Sequence, residues 1–391
     1  MRILHTADWH VGRLIKGRSR ADEHRAVLAE IAGIAAHEKA DIVIVAGDLF
    51  DVAAPAPEAE EIVYGALLAL ADGGAHVVLV SGNHDHPRRF EAIKPLLERT
   101  GRVHAGAALA KPSDGGVLTL STRGGETARI ALFPFLSQRG IVTAAALMCG
   151  DAADHAQSYA ERCAELVRAL CAPFSSDSVN LVVAHLMVER AVAGGGERAA
   201  HLHEDYRVDA ACFDHPSLHY VALGHVHRAQ RIPAPCPVWY CGSPLQLDFG
   251  ETENEPGVLL IEARAGKPAE VETHRLQTGR RLRTIHGAVA ALGEATKDVG
   301  DAFLRLILDD PPHPGLADEL QELYPNAIRI ELAAADPHGE ATGEGADRLD
   351  RAPRESFAEY LTERGEVDPR LIALFDQLLD EAHEVDAAEA T

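Results

Sequence analysis

Apolar residues along this chain fall into two kinds of pattern. Short, nearly unbroken runs (RILHTAD, DIVIVAGD, HVVLVSG) are separated by longer stretches in which apolar residues recur every three to four positions. The runs predict buried strands and the stretches predict amphipathic helices. RILHTAD opens the chain as a strand, and Ser19 reads as the N-cap of a helix reaching about Lys39. DIVIVAGD is the second strand, and a helix beginning at Pro57 runs to about Leu70 before HVVLVSG. RIALFPF, a long helix within 151–171, VNLVVAH, HYVALGH, PVWYC and GVLLIEA follow, with no comparable helices between the last few. Strands this continuously apolar must be covered on both faces, which predicts an α/β core.

The last third is organised differently. RLRTIHG, AFLRLILDD and NAIRIEL read as strands separated by helical GAVAALGEA and LADELQELY, a small α/β capping domain. The polar stretch DPHGEATGEGADRLDRAP then reads as a linker. In DPRLIALFDQLLDEAHE, Leu371, Leu374, Phe375, Leu378 and Leu379 form a helical apolar stripe that needs a partner. The expected organisation is therefore a core over residues 1–275, a capping domain over 276–335, a linker over 336–354 and terminal helices over 355–391.

Polar residues gather where the strands end. Asp8 and His10 follow the first strand, Asp48 the second, and Asn83 and His84 the third; His185 closes VNLVVAH, and His225 and His227 follow HYVAL. Gly, Asn, Asp and Pro end strands for backbone reasons alone, so SGNHDHP by itself reads equally well as a turn. Five strand ends that each carry His, Asp or Asn are harder to explain that way, because open α/β sheets place their ligand sites at the carboxyl ends of strands. In DWH and HVH the two side chains stand at i and i+2, on one side of an extended backbone. Carboxylate, imidazole and amide oxygen together suit Mn²⁺, Fe or Zn²⁺. A two-metal centre for displacement at phosphorus uses such a set, with one aspartate bridging and His84 left as general acid.

Composition changes this picture little. With 391 residues and 47% hydrophobic content the chain can bury a large core in two or more domains. No apolar stretch approaches a membrane span, and MRILHTADWH lacks a signal peptide's apolar region, so a cytoplasmic protein without membrane association is expected. The six cysteines form no CxxC pair and are expected to act as small apolar side chains. The net charge of −23 argues against nucleic acid, but residues 331–391 hold 17 acidic and 5 basic residues, about half of the excess. Local basic clusters remain at Arg13, Lys16, Arg18 and Arg20 and at Arg280, Arg281 and Arg283. Most of the 21 histidines, His24 among them, read as surface or core residues. AVAGGGERA reads as a flexible loop, and His201 and His203 beyond it are not expected to be ligands.

The blocks DWH, GDLFD, GNHD, AHLMV and GHVH resemble the signature blocks of the calcineurin-like metallophosphoesterase superfamily, in its order. ILHTADWHVGR, VIVAGDLFDVAAP, VSGNHDHPRRF, YVALGHVHRAQ and YCGSPLQLDFGETE are similar, more narrowly, to the SbcD family of nuclease subunits, closely to about residue 285 and loosely to about 385. The resemblance implies two packed mixed β-sheets flanked by helices, and two divalent metal ions, with Mn²⁺ expected. It implies Asp8, His10 and His227 on the first metal, Asn83, His185 and His225 on the second, and Asp48 bridging. His84 would be catalytic, with Asp85 orienting it and Asp51 supporting a ligand. The implied activity is DNA exonuclease and endonuclease cleavage beside an SbcC-type ATPase, in a heterotetramer built on a homodimer. ATP would belong to the partner, since this chain has no GxxxxGK[ST] loop. DNA is then expected at Arg13, Lys16, Arg18, Arg20, Arg88 and Arg89, the ATPase at Leu371, Leu374, Phe375 and Leu378, and the second copy at Tyr64, Leu68, Phe90 and Ile93. The alternatives are a small-phosphoester hydrolase and a non-catalytic scaffold of the same fold.

Overall fold

The computed structural model describes residues 1–149, 158–197, 206–311 and 313–333, together with positions 357, 361, 371 and 375. Two six-stranded mixed sheets pack face to face. The first runs in the order Lys267–Arg275, Gly257–Arg264, Arg2–Thr6, Ile42–Val45, His76–Val80, Val103–Gly106, with its last four strands parallel. The second runs Gln230–Ile232, Val238–Tyr240, Tyr220–Gly224, Val179–His185, Thr127–Phe133, Val117–Ser121, parallel except at its two edges.

Alternation along the strands explains the layering. Ile42, Ile44, Val78 and Val80 face Ile130, Leu132, Leu181 and Val183 in the cluster shared by the two sheets. Their neighbours Val43, Val45, Val77 and Leu79 face the helices Ala21–His37, Pro57–Asp72 and Pro87–Glu98. On the far side, Val182, Ala184, Val221 and Leu223 pack beneath Gln138–Cys149 and Tyr159–Cys171. The result is the expected α/β arrangement of two helix-covered sheets.

A separate parallel sheet of Leu282–Gly287, Phe303–Leu308 and Ala327–Leu332 is covered by Val289–Ala295 and Leu316–Leu323. Leu282 and Phe303 pack with Ile15 and Phe249 of the core, which makes the joint. Glu30 and Glu23 tie the entry to this sheet, accepting from the backbone of Gln277, Thr278 and Arg280.

Several local expectations are corrected. Ser19 belongs to the two-residue ladder of Leu14–Ile15 with Arg18–Ser19, and the N-cap of the first helix is Arg20. Phe90, expected on a surface, is 1% exposed and packs into the core against Phe50. Tyr64 and Ile93 are likewise partly covered by that core, and the exposed apolar side chains of these two helices are Leu68 and Leu96. Most of the linker and terminal helices, including Leu374 and Leu378, lie outside the described residues. Phe375 stacks on Phe357 with ring centroids 4.3 Å apart, and Leu371 is 38% exposed. Among the described residues no helix is long and apolar enough to cross a membrane.

Candidate metal centre

The strand register brings the predicted residues to one end of the sandwich. Thr6 lies beside Val45 and Val45 beside Leu79, so the loops carrying Asp8, Asp48 and Asn83 leave the first sheet together. In the second sheet Gly224 lies beside His185, which puts His225 at the same level. Amides continue the pairing past the strands, with Asp8 N donating to Gly47 O, His10 N to Asp48 O and Val11 N to Leu49 O, each at 3.0 Å. Asp8, His10, Asp48 and His225 have φ of 52, 47, 51 and 104°, the left-handed region that side chains avoid. Such conformations cost about 1–3 kcal/mol each and persist where the surroundings enforce them, commonly at functional sites.

Both aspartates are split between a backbone bond and the cavity. Asp8 Oδ1 accepts His225 N at 2.9 Å, and its buried Oδ2 has no hydrogen-bond partner among the described residues. Asp48 Oδ1 accepts His84 N at 2.8 Å, while Oδ2 lies 3.6 Å from His10 Nε2 and 3.4 Å from His185 Nε2. Ligand atoms of Asp8, His10 and His227 converge, as do those of Asp48, His185 and His225. Asn83 Oδ1 joins the second group at 2.9 Å from both His185 Nε2 and His225 Nδ1. Asp48 therefore stands between the groups, in the position a bridging carboxylate needs.

The outward nitrogens fix which ring atoms face inward. His185 Nδ1 is 2.8 Å from the Ala46 carbonyl, and His227 Nδ1 is 2.7 Å from Glu251 Oε1. Carbonyl and carboxylate oxygens only accept, so these Nδ1 atoms carry hydrogen and the Nε2 atoms point at the cluster. His10 Nε2 and His227 Nε2 lie 3.1 Å apart. Carboxylate, amide oxygen and imidazole converging form a donor set suited to divalent cations, and the Asp8 oxygen left unpartnered among the described residues fits the same reading.

The acids and imidazoles of the cluster shift one another's charge. Burial opposes charge on His185, yet Asp48 and Asp8 lift its pKa to about 9. Burial likewise opposes charge on His227, and Glu251 lifts it to about 9. Burial raises Asp8 to about 7. Asp48, although buried, is held well below the carboxylate range by His185, His10 and His84.

Other expectations fare unevenly. His84 sits beside the cluster, its ring edge-on to His10 with centroids 4.5 Å apart. Its orienting group is the carbonyl of Asp51, 2.7 Å from Nδ1, and not Asp85. The Asp85 carboxylate instead accepts from the amides of Gly82, Leu49 and Phe50, which locks the GNHD loop to the GDLF loop. Asp51 lies 3.5 Å from His10 Nδ1 and pairs with Arg13. Arg20 does not belong to a surface cluster. It is 1% exposed and bonded to Glu23, to the Gln246 carbonyl and to the Arg280 carbonyl. Arg89 is half-buried and paired with Glu60, whereas Arg88 is exposed. Lys16 and Arg18 are exposed on a hairpin whose turn, Lys16 and Gly17, has φ of 48 and 79°. His201 and His203 lie outside the described residues.

Sequence reasoning missed Glu251 and Glu197. Glu251 lies within the block YCGSPLQLDFGETE, where an acid amid buried residues was the available signal. Glu197 closes the stretch read as a flexible loop, yet it accepts from Gly194, Gly195, Gly196 and His227 amides.

His24 braces the first ligand turn from behind, with Nε2 3.1 Å from the Trp9 carbonyl and Nδ1 3.0 Å from that of Arg20. Burial, reinforced by Arg20 and only partly opposed by the two carbonyls, pushes its pKa from 6.5 down to about 4, so the neutral ring donates to one carbonyl at a time. The unfolded chain takes up this proton near pH 6.5 while the fold refuses it until about pH 4. Stability present above pH 6.5 is therefore lost as pH falls through that window, by on the order of 3 kcal/mol for this group. Urea denaturation of chelator-treated protein at pH 7.5 and 4.5 should show a smaller acid loss in His24→Gln than in the wild type. An equal loss in both would exclude His24 as a source.

The chain is similar to known proteins over this region. The calcineurin-like phosphoesterase family matches residues 1–229. The chain is 32% identical over 287 residues to the D subunit of nuclease SbcCD from Bacillus subtilis, covering 72% of this chain and 71% of that protein. It is 35% identical over 277 residues to the D subunit of nuclease SbcCD from Rhodobacter capsulatus, covering 68% and 67%. To the corresponding SbcCD nuclease subunit of Escherichia coli K12 it is 29% identical over 305 residues, covering 75% and 72%.

Proposed function

The chain belongs to the calcineurin-like phosphoesterases and, within them, to the SbcD family of SbcCD nuclease subunits, and on that premise we propose that it hydrolyses DNA phosphodiesters as the nuclease subunit of an ATPase complex. The observation that carries the reading is Asp48 Oδ2 standing between two convergent groups of ligand atoms. Asp8, His10 and His227 would hold one cation, Asn83, His185 and His225 the other, and Asp48 both. Manganese is the metal we expect. Cations so held supply charge stabilisation at phosphorus and lower the pKa of water.

The chain's own residues supply the rest. His84, pinned through Nδ1 to the Asp51 carbonyl, presents Nε2 as the group that protonates the leaving oxygen. Lys16 and Arg18, on the hairpin that directly follows the DWH ligands, offer phosphate contacts, with Arg13 beside them in sequence and Arg88 shortly after the GNHD block. Leu68 and Leu96 offer the second copy an exposed apolar surface. The apolar stripe around Leu371 is assigned to an SbcC-type ATPase, and the compartment to the cytoplasm. The small-phosphoester and scaffold readings fit less well, since every ligand position keeps a metal-capable side chain and the matched relatives are nuclease subunits.

The test is cleavage of labelled single-stranded and hairpin DNA by the manganese-loaded protein, with chelator as control. Deleting residues 353–391 should leave this activity intact while abolishing co-purification with the ATPase and ATP-dependent duplex degradation. Hydrolysis of nucleotide monoesters with DNA left intact would sink the nuclease reading. A truncated protein that still binds the ATPase at unchanged affinity would sink the docking role alone.

A further inference from the structure

His227 is held from two directions by groups outside the ligand cluster. Its Nδ1 is 2.7 Å from Glu251 Oε1, and its main-chain N–H donates to Glu197 Oε1 at 2.9 Å. Glu251 is 1% exposed, and its Oε2 accepts Leu247 N at 2.7 Å. Glu197 is itself fixed by the amides of Gly194, Gly195 and Gly196 at 2.6, 2.7 and 3.1 Å. These glycines leave no room for side chains. A Cβ on Gly196 would lie 1.9 Å from Glu251 Oε1 and 3.1 Å from His227 Nδ1, and one on Gly195 would lie 2.8 Å from the Gly250 carbonyl oxygen.

From this geometry we propose that Glu251 and Glu197 are positioning residues for the metal centre, Glu251 setting the ring of His227 and Glu197, carried by the three-glycine strap, setting its backbone. The inference rests on the metal reading above. Its chemical content lies in the 3.1 Å contact between His227 Nε2 and His10 Nε2. Either a proton shared by the two nitrogens or a cation ligated by both can occupy that space. A carboxylate on Nδ1 draws hydrogen to the outer nitrogen and leaves the inner one as a donor to metal. Partners of this kind commonly contribute 10–100-fold to metal affinity. The strap packs over the pair, leaving Glu251 and His227 only 1% and 4% exposed.

The experiment is manganese titration by calorimetry, with elemental analysis, on chelator-stripped wild type, Glu251→Ala, Glu251→Gln and Gly196→Ala. Glu251→Ala should retain one tightly bound manganese and bind the other about 10–100-fold more weakly. Glu251→Gln, whose amide oxygen can accept the same Nδ1 hydrogen while its NH2 forgoes the bond from Leu247 N, should stay within about tenfold of wild type. Gly196→Ala should follow Glu251→Ala, because its Cβ displaces the carboxylate without removing it. If Glu251→Ala fails to fold, the glutamine and Gly196 variants decide the matter. Wild-type affinity in folded Gly196→Ala and Glu251→Ala, or equal losses in the Gln and Ala variants, would overturn the proposal. A wild-type protein that binds no manganese would overturn the metal reading instead.

Discussion

Replacing His84 by Asn is expected to leave the manganese content of the protein unchanged while lowering DNA cleavage about 10²–10⁴-fold, the loss typical of a missing general acid. The expectation is a sharp one, because geometry alone allows two roles. Ligand atoms of His10, Asp48 and His84 lie close enough together to share a cation, so His84 could instead be a ligand. One feature favours the acid. The link from His84 to Asp48 runs through the main-chain N–H at 2.8 Å, whereas the Asp51 carbonyl on Nδ1 at 2.7 Å turns Nε2 inward as in His185 and suits either role. An asparagine in its place keeps that N–H, so the substitution leaves the shared carboxylate where it stands. Replacing Asp48 by Ala should do the opposite and release metal, since its Oδ2 faces histidines of both groups. Equal metal loss in the two variants, measured by elemental analysis, would make His84 a ligand and remove the acid from the mechanism.

The ligand cluster was readable in sequence because it depends on local rules. A buried parallel strand is a short apolar run, and its carboxyl end is fixed by where the run stops. That rule located Asp8, His10, Asp48, Asn83, His185, His225 and His227, which the fold brings together. The extended backbone expected across DWH and HVH is not found, since Asp8, His10 and His225 are left-handed and His225 and His227 join different groups. What supports the cluster was not readable, because it depends on contacts between loops. Asp85 lies next to His84 in sequence, yet its carboxylate bonds amides of Leu49 and Phe50, 36 and 35 positions away. Arg20 looked like part of a surface cluster until the fold placed Glu23 and the carbonyls of Gln246 and Arg280 around it.

Edge elements escaped for a related reason. Val117–Ser121 and Lys267–Arg275 pair on one side only, the first partly and the second largely exposed, so neither carries an unbroken apolar run. Phe90 shows the converse error, where an apolar residue was assigned to a surface that its helix, Pro87–Glu98, does not present. Glycine misled in AVAGGGERA. Three glycines suggest freedom, whereas Gly194, Gly195 and Gly196 permit close approach and donate their amides to Glu197.

Close approach also governs the glycine of the GNHD block, and Gly82→Ala is expected to be as damaging as removing a ligand. A Cβ at position 82 would lie 2.1 Å from Asp48 Oδ1, 2.4 Å from Asp48 N and 2.7 Å from Asp48 Cγ. No side chain at such distances is accommodated without movement. The two loops cannot simply part, because Gly82 N donates to Asp85 Oδ2 at 2.9 Å and the same carboxylate holds Leu49 and Phe50. The displacement therefore falls on the carboxylate of Asp48, which breaks its bond from His84 N and removes Oδ2 from between His10 and His185. Because Asp48 serves both groups, both cations should be lost, and cleavage should fall by more than about 10²-fold without recovery in excess manganese. Gly124→Ala is the matched control, since its Cβ would meet nothing nearer than Thr122 Oγ1 at 3.8 Å. Elemental analysis and cleavage assays on the two variants separate the outcomes. Full metal content and activity in Gly82→Ala would mean that the loops yield after all, and that the Asp85 bonds do not hold Asp48 in place.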